Sequence, residues 1–317
     1  MINILANDGI SQSGKDALKK AGFNISTITV AQEQLINHIQ TENIAVLLVR
    51  SATTVRKDLI DQCPSLKIIG RGGVGMDNID VEYARSKGLN VINTPAASSS
   101  SVAELVFAHL YGGVRFLHES NRNMPLEGDS NFKKLKKAYA KGVELRGKTI
   151  GIIGFGRIGR ETAKIALGIG MNVLAYDKFL KETKITLNFM GGNSIDFEIK
   201  ISPLDTLLKK SDFISLHVPA QNQHVIDKKE FELMKNGVGI VNAARGGVIN
   251  EVELVSALES GKVSFAGLDT FENEPKPEIK LLMHPNISLT PHIGAATNEA
   301  QDRIGKELAD QISNILK

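Results

Sequence analysis

Six consecutive residues, Gly154-Phe155-Gly156-Arg157-Ile158-Gly159, carry glycine at the first, third and sixth places. They follow the apolar run Thr149-Ile150-Gly151-Ile152-Ile153 and open a segment of helical period that reaches about Leu167. That strand–turn–helix context separates a dinucleotide-binding turn from a chance run of glycines. Gly154 permits the tight turn, Gly156 lets the backbone approach a pyrophosphate, and Gly159 lets the helix pack closely on the strand. The helix N-terminus then offers free N–H groups and a partial positive charge to the phosphates. The next apolar run, Asn172 to Tyr176, leads into Asp177, 23 positions after Gly154. A carboxylate there accepts hydrogen bonds from an adenosine ribose. It also repels a 2′-phosphate: at about 4 Å and an effective dielectric of about 20, one charge pair amounts to roughly 4 kcal/mol before screening. NAD is therefore expected over NADP, with the adjacent Lys178 softening the preference. The bland alternative is a glycine-rich turn beside a surface aspartate.

Three further segments place reactive side chains after apolar runs. They are Val241-Asn242-Ala243-Ala244-Arg245-Gly246-Gly247, Gly267-Leu268-Asp269-Thr270-Phe271-Glu272-Asn273-Glu274-Pro275 and Leu289-Thr290-Pro291-His292-Ile293-Gly294-Ala295-Ala296-Thr297. Open α/β sheets bind ligands beyond the carboxyl ends of their strands, where all three would sit. Taken singly, Arg245 reads as a surface salt-bridge former, Glu274 as a solvated acid and His292 as a satisfied histidine after a proline turn. Taken jointly, behind a dinucleotide fingerprint, they read as one catalytic constellation. The segment Gly72-Gly73-Val74-Gly75 also follows a strand-like run. Its N–H groups can cradle an anion, or it is an ordinary flexible loop. His38, His109, His118, His224 and His284 lack such contexts and read as structural. No CxxC or HExxH spacing occurs, so no metal is expected.

The elements that must position these residues alternate. Strand-like runs at Ile2–Ala6, Ile25–Ile28, Ala45–Val49, Lys67–Gly70 and Asn90–Ile92 are separated by helical segments. A helix from about Val102 to Phe116 follows, its start marked by the capping-box pattern Ser101-Val102-Ala103-Glu104. After the lysine-rich stretch Asn121–Lys141 a second series begins, with strands near Thr149–Ile153, Val173–Tyr176, Phe213–His217, Gly239–Asn242, Phe265–Leu268 and Ile287–Thr290. A closing helix runs from about Asn298 to Leu316. Strands alternating with helices imply βαβ units and parallel sheets, an α/β fold. The 317 residues suffice for two such domains, and a net charge of +3 is too small to argue for nucleic acid. No apolar run of about 20 residues exists for a membrane span, and the N-terminus lacks the pattern of a signal peptide. The single cysteine, Cys63, reads as packing, and a reducing, cytoplasmic setting is the simple expectation.

The order Arg245, Glu274, His292 behind the glycine fingerprint resembles the D-2-hydroxyacid dehydrogenase family over nearly the whole chain. Val49-Arg50-Ser51-Ala52-Thr53-Thr54-Val55, Gly70-Arg71-Gly72-Gly73-Val74-Gly75-Met76-Asp77-Asn78-Ile79-Asp80 and Asn93-Thr94-Pro95 are most similar to the branch that oxidises 3-phosphoglycerate at the first step of serine synthesis. The chain resembles the short form of that branch, without a C-terminal regulatory domain. The neighbouring readings are a glyoxylate or hydroxypyruvate reductase and, in another class, an NAD-sensing corepressor of the same fold. The resemblance implies a flavodoxin-like substrate domain, residues 1–97 and 288–317, with a doubly wound Rossmann NAD-binding domain, 98–287, inserted in it. It places the active site in the cleft between them, closed by a hinge.

The resemblance also assigns roles. His292 would be the general acid/base, Glu274 would hydrogen-bond and orient its ring, and Arg245 would bind the substrate's carboxylate or carbonyl. Asp269 would hold the nicotinamide side of NAD. Val74, the fingerprint residues, Asp177, His217, Val218, Pro219, Ala243, Ala244, Arg245, His292, Gly294 and Ala295 would line the cofactor. Gly73, Val74 and Gly75 would contact the substrate, a small 2-hydroxy or 2-keto acid. Arg50, Ser51 and Arg71 would take its phosphate side. The helix from Val102 and the arm after it resemble dimerisation elements, so a homodimer is expected. The run Lys133, Lys134, Lys136, Lys137 and Lys141 reads as a solvated helix face, or as the source of a lysine reaching the partner's substrate.

Overall fold

The protein's structure, a computed structural model, describes residues 1–316. The chain forms two compact units, one of Met1–Ser101 with the C-terminal segment from Ala295, the other of Val102–Gly294.

In the first unit β1 (Asn3–Ala6), β2 (Asn24–Ser26), β3 (Ile44–Val49), β4 (Ile68–Arg71) and β5 (Asn90–Asn93) form a sheet of order β2-β1-β3-β4-β5. Every neighbouring pair is parallel, the flavodoxin-like arrangement. Alternate side chains enter opposite cores: Leu5, Leu47, Val49 and Ile69 one, Ile4, Val46, Leu48 and Ile68 the other. A sheet covered on both faces is what continuous apolar strands require. Cys63 is buried in the first of these cores, and burial pushes its thiol up to about 11. The helix Asn298–Leu316 buries Ile304, Leu308 and Ile312 in the second core and packs on the helix Gln12–Lys20. The crossing is glycine on glycine, since a Cβ on Gly14 would lie 2.6 Å from the Gly305 Cα. This contact is why the last residues of the chain belong with the first.

The second unit holds β6 (Thr149–Ile153), β7 (Asn172–Tyr176), β8 (Glu182–Asn188), β9 (Ser194–Lys200), β10 (Phe213–Leu216), β11 (Val238–Asn242), β12 (Val263–Leu268) and β13 (Ile287–Leu289). Six of them form a parallel sheet of order β13-β12-β11-β10-β6-β7. The chain reverses its direction of travel across the sheet between β6 and β10, a topological switch point. Beyond β7, the place of a further strand is reduced to one parallel bridge, Ala175 to Ile201. Ile153, Ile214, Leu216 and Ile240 face one core, and Ile150, Ile152, Phe213 and Val241 face the other.

The structure differs from the sequence reading at three places. The hairpin of β8 and β9, antiparallel across Glu182–Lys200, was not expected. It buries Ile185, Leu187 and Ile199 against the core that also holds Ala163 and Ala166 of the helix Arg157–Gly168. The two compact units divide at 101/102 and 294/295, where the sequence reading expects domain boundaries at 97/98 and 287/288. Cutting at 288 would divide β13, which pairs with β12, so the second unit runs on to Gly294. Finally, the helix expected from Val102 begins at Ser99. Ser101 lies inside it, with its hydroxyl on Thr297 Oγ1 instead of capping the helix. No helix among the described residues is long and apolar enough to cross a membrane.

Candidate active site

Because each sheet is parallel, its carboxyl ends share one edge. Residues 50 and 72–75 follow β3 and β4 there, and Arg71 is the last residue of β4. The fingerprint, Asp177, His217, Ala243, Asp269 and Thr290 follow β6, β7, β10, β11, β12 and β13.

Gly154 adopts φ +92, and a Cβ there would lie 2.6 Å from the His217 carbonyl oxygen. A Cβ on Gly159 would fall on the Gly154 carbonyl, so the helix Arg157–Gly168 meets its strand without a side chain between them. Gly156, its N-cap, makes no side-chain capping bond and faces open space. The helix end is therefore uncapped and unobstructed, which fits a pyrophosphate seated on the N–H groups around Arg157 and Ile158. Asp177 is fixed by its own loop: Phe155 N donates to Oδ2 at 2.9 Å, and Phe179 N and Leu180 N to Oδ1 at 2.9 and 3.3 Å. Burial pulls its pKa up, but these bonds and the Arg160 charge outweigh that, and the net shift is downward. A rigid carboxylate at this strand end fits a ribose.

His217 lies at the switch point with its ring turned inward. Nε2 lies 3.2 Å from Thr162 Oγ1 and 2.9 Å from Ser215 Oγ, and Nδ1 is buried. Burial pushes its pKa down to about 3. The ring thus anchors the fingerprint helix. A cofactor would meet the backbone of this turn, with Val218 half-buried and Pro219 exposed.

Arg245 stands on a loop shaped by Asn242, whose Nδ2 donates to the Arg245 carbonyl and whose Oδ1 accepts from Ala244 N. Arg245 Nη1 donates to the Ala244 carbonyl at 2.6 Å. Ala243 and Ala244 are buried beside it. A Cβ on Gly246 would fall on the Phe271 carbonyl, so this loop lies directly against the segment that carries Glu274.

Glu274 and His292 are in contact, with Oε2 2.9 Å from Nδ1. The second carboxylate oxygen accepts from Phe271 N at 3.0 Å. Burial raises the Glu274 pKa, yet the hydrogen bonds from His292 and Phe271 and the charges of His292 and Arg245 leave it below the ordinary value. An ionised Glu274 makes His292 Nδ1 the donor and leaves Nε2 for other work. His292 adopts a left-handed φ of +54, uncommon for a residue with a side chain and typical of functional turns. A pocket of about 410 Å³ beside the pair is lined by Phe271, Glu274, Leu289, Thr290, Pro291 and His292 among others. A larger, more open hollow of about 990 Å³ flanks Gly246 and Gly247 but is lined mainly by polar and charged residues from Gln221 to Glu232. Arg245 lines neither hollow, and of the two only the smaller is lined by Glu274 and His292.

Asp269 is 1% exposed. Its Oδ1 accepts from the Thr290 hydroxyl at 2.7 Å and Ile293 N at 2.8 Å, and its Oδ2 from Gly294 N at 2.8 Å. It therefore staples the turn that bears His292, a duty its sequence context did not announce. Ala295 falls in the first unit.

In the first unit the loop after β3 is clamped from below. Asp8 accepts from Arg50 N and Thr53 N, at 2.6 and 3.1 Å, and from the Thr53 hydroxyl. Asn78 Nδ2 donates to the carbonyls of Arg50 and Thr53. Ser51, between them, is exposed. Gly73 takes φ +148 under the Arg71 guanidinium, where a Cβ would collide with Nη1. Val74 and Gly75 follow, with the Val74 carbonyl accepting from Asn93 Nδ2. Sequence reading missed Asp8, Asn78 and Asn242, because short polar side chains in turns carry no distinctive spacing.

Residues 107–294 match the family described as D-isomer specific 2-hydroxyacid dehydrogenase, NAD binding domain. The chain is 43% identical to a hydroxypyruvate reductase of Thermotoga maritima, over 96% of its own length and 95% of that protein. It is 40% identical to a D-3-phosphoglycerate dehydrogenase of Methanocaldococcus jannaschii, over 100% of its own length and 58% of that protein. The chain thus spans little more than half of the second relative. Among solved structures, a glyoxylate reductase from Paecilomyes thermophila superposes with a TM-score of 0.82 at 30% identity, covering 100% of this chain and 96% of that one.

Proposed function

We propose that this chain, which belongs to the NAD-dependent, D-isomer-specific 2-hydroxyacid dehydrogenases, oxidises 3-phosphoglycerate to 3-phosphohydroxypyruvate. The observation that carries the chemistry is the 2.9 Å contact between Glu274 and His292. NAD, when bound, supplies the acceptor for the hydrogen leaving C2 as hydride. The fingerprint glycines with Arg157 and Ile158 would hold its pyrophosphate, and Asp177 its ribose. Neutral His292 takes the substrate's hydroxyl proton on Nε2, since Nδ1 is engaged with Glu274. Glu274, kept ionised, stabilises the imidazolium that results. In the reverse direction the imidazolium returns that proton to the keto oxygen. Arg245 offers a planar, permanently charged fork to the carboxylate or carbonyl.

The first unit would supply the substrate's remaining contacts. Gly73, Val74 and Gly75 would meet the carboxylate end, and Arg50, Ser51 and Arg71 the phosphate. What supports this is a loop whose backbone Asp8 and Asn78 hold from both sides, with Ser51 exposed between them. The chain would act as a homodimer through residues 99–138, a reading supported by the exposure of Leu117, Leu126 and Phe132 there.

The test compares 3-phosphohydroxypyruvate, hydroxypyruvate and glyoxylate as keto acids in NADH oxidation by the wild type and Arg50→Ala. A phosphate-binding Arg50 predicts a selective loss on the phosphorylated acid. The 43% identity to a hydroxypyruvate reductase favours a second reading, in which the substrate carries no phosphate. An equal effect of Arg50→Ala on all three acids would support that reading.

A further inference from the structure

His109 is 2% exposed, on the helix Ser99–Val114, and no step above uses it. In sequence it lacks any chemical context and reads as structural. The sheet makes room for it: a Cβ on Gly267 of β12 would lie 2.6 Å from the His109 Cβ. Both ring nitrogens are engaged, Nδ1 at 2.9 Å from Ser288 Oγ and Nε2 at 3.0 Å from Thr290 Oγ1.

Proton accounting orders this chain. Asp269 accepts two backbone N–H groups, and the Thr290 hydroxyl donates its one proton to Asp269 Oδ1. Thr290 Oγ1 can then only accept from His109, so Nε2 carries a hydrogen. Burial, aided by His118, disfavours the ring's charged form and outweighs the opposing pull of Asp269, so its pKa is lowered. A neutral ring leaves Nδ1 bare, to accept from the Ser288 hydroxyl. The run is therefore Ser288 to His109 to Thr290 to Asp269, each donor feeding the next acceptor. Asp269 in turn holds Ile293 N and Gly294 N, the two residues after His292, whose backbone sits in the left-handed region.

We propose that His109 is a positioning residue, which as the neutral Nε2–H tautomer fixes Thr290 and Asp269 and through them the turn that presents His292. This rests on the proposed role of His292. If His109 merely ties its helix to β13, the bond to Ser288 suffices. If the relay matters, the bond to Thr290 is the essential one.

Two variants separate these. The amide of His109→Asn reaches the place of Nδ1, and that of His109→Gln the place of Nε2. With 3-phosphohydroxypyruvate, hydroxypyruvate and NADH, His109→Asn should lower kcat about tenfold or more, the scale of a mispositioned catalytic group. His109→Gln should recover most of it, while both variants melt at similar temperatures. Thr290→Val should reproduce the loss, and adding His109→Asn to it should cost little more, the non-additivity of groups that act as one unit. Ring nitrogen NMR of the wild type should show His109 mainly neutral and protonated at Nε2 at about pH 6.5, where an unperturbed ring is half charged. Equal kcat in the Asn and Gln variants, or an Nδ1–H ring, overturns the relay. His292→Asn serves as control. Full activity in that variant would remove the proposed function itself, whereas an inactive His292→Asn beside an unimpaired His109→Asn would remove the relay alone.

Discussion

His292 is held by two independent devices, a carboxylate on its ring and a staple on its backbone. His292→Asn should lower kcat by about a hundredfold or more, the usual worth of a general acid/base. NAD affinity, measured by fluorescence titration, should change little. Glu274→Gln keeps an acceptor for Nδ1 but not the charge that stabilises the imidazolium, so kcat should fall while the fold is retained. The pH sign follows from its lowered pKa. The stabilising interaction is complete above the ordinary carboxylate value and is lost only as pH falls through the lower folded one. Arg245, Glu274, His292 and Asp177 were legible because each follows an apolar run at a strand end. His109 and Thr290 were not, because their contact joins positions 181 apart and exists only once the helix lies on the sheet.

Glycines set the distances between elements. Gly246 abuts the Phe271 carbonyl, and backbone cannot yield as a flexible side chain does. Gly246→Ala should therefore displace the Arg245 loop and raise KM for the keto acid. At the crossing of the first and last long helices of the first unit, Gly14→Ala should cost about 1–3 kcal/mol in urea unfolding, the range for overpacking. An unchanged midpoint would mean that the helices separate freely. Ile185→Ala on β8 should cost about 2–5 kcal/mol, because Ile185 is 2% exposed in a shared core. The parallel strands of both sheets were readable as apolar runs between helical segments. The hairpin was not read, although Thr183-Lys184-Ile185-Thr186-Leu187 alternates and Gly191-Gly192-Asn193 marks a turn. A helix–strand rhythm on either side hid a period of two.

At the scale of the whole molecule, two histidines with inward-turned rings couple stability to pH. His109 and His217 are both held below the ordinary histidine value by burial, His217 down to about 3. The native second unit keeps both neutral where the unfolded chain binds protons. Stability is thus fully present above about pH 6.5 and falls as pH drops below it, by up to about 1.4 kcal/mol per pH unit for each histidine. The unfolding free energy should be nearly level between about pH 7.5 and 8.5 and clearly lower at about pH 5, before the carboxylates titrate. Equal values at about pH 5 and 7.5 would mean that both rings charge in the folded state as they do in the unfolded one.

The most direct measurement is the rate of NADH oxidation by wild type and His292→Asn, with 3-phosphohydroxypyruvate set against hydroxypyruvate and glyoxylate. The highest kcat/KM is expected on the phosphorylated acid, with near-complete loss in the variant on every acid. Rates as high or higher on hydroxypyruvate would contradict the phosphorylated substrate, and an active His292→Asn would contradict the acid/base pair.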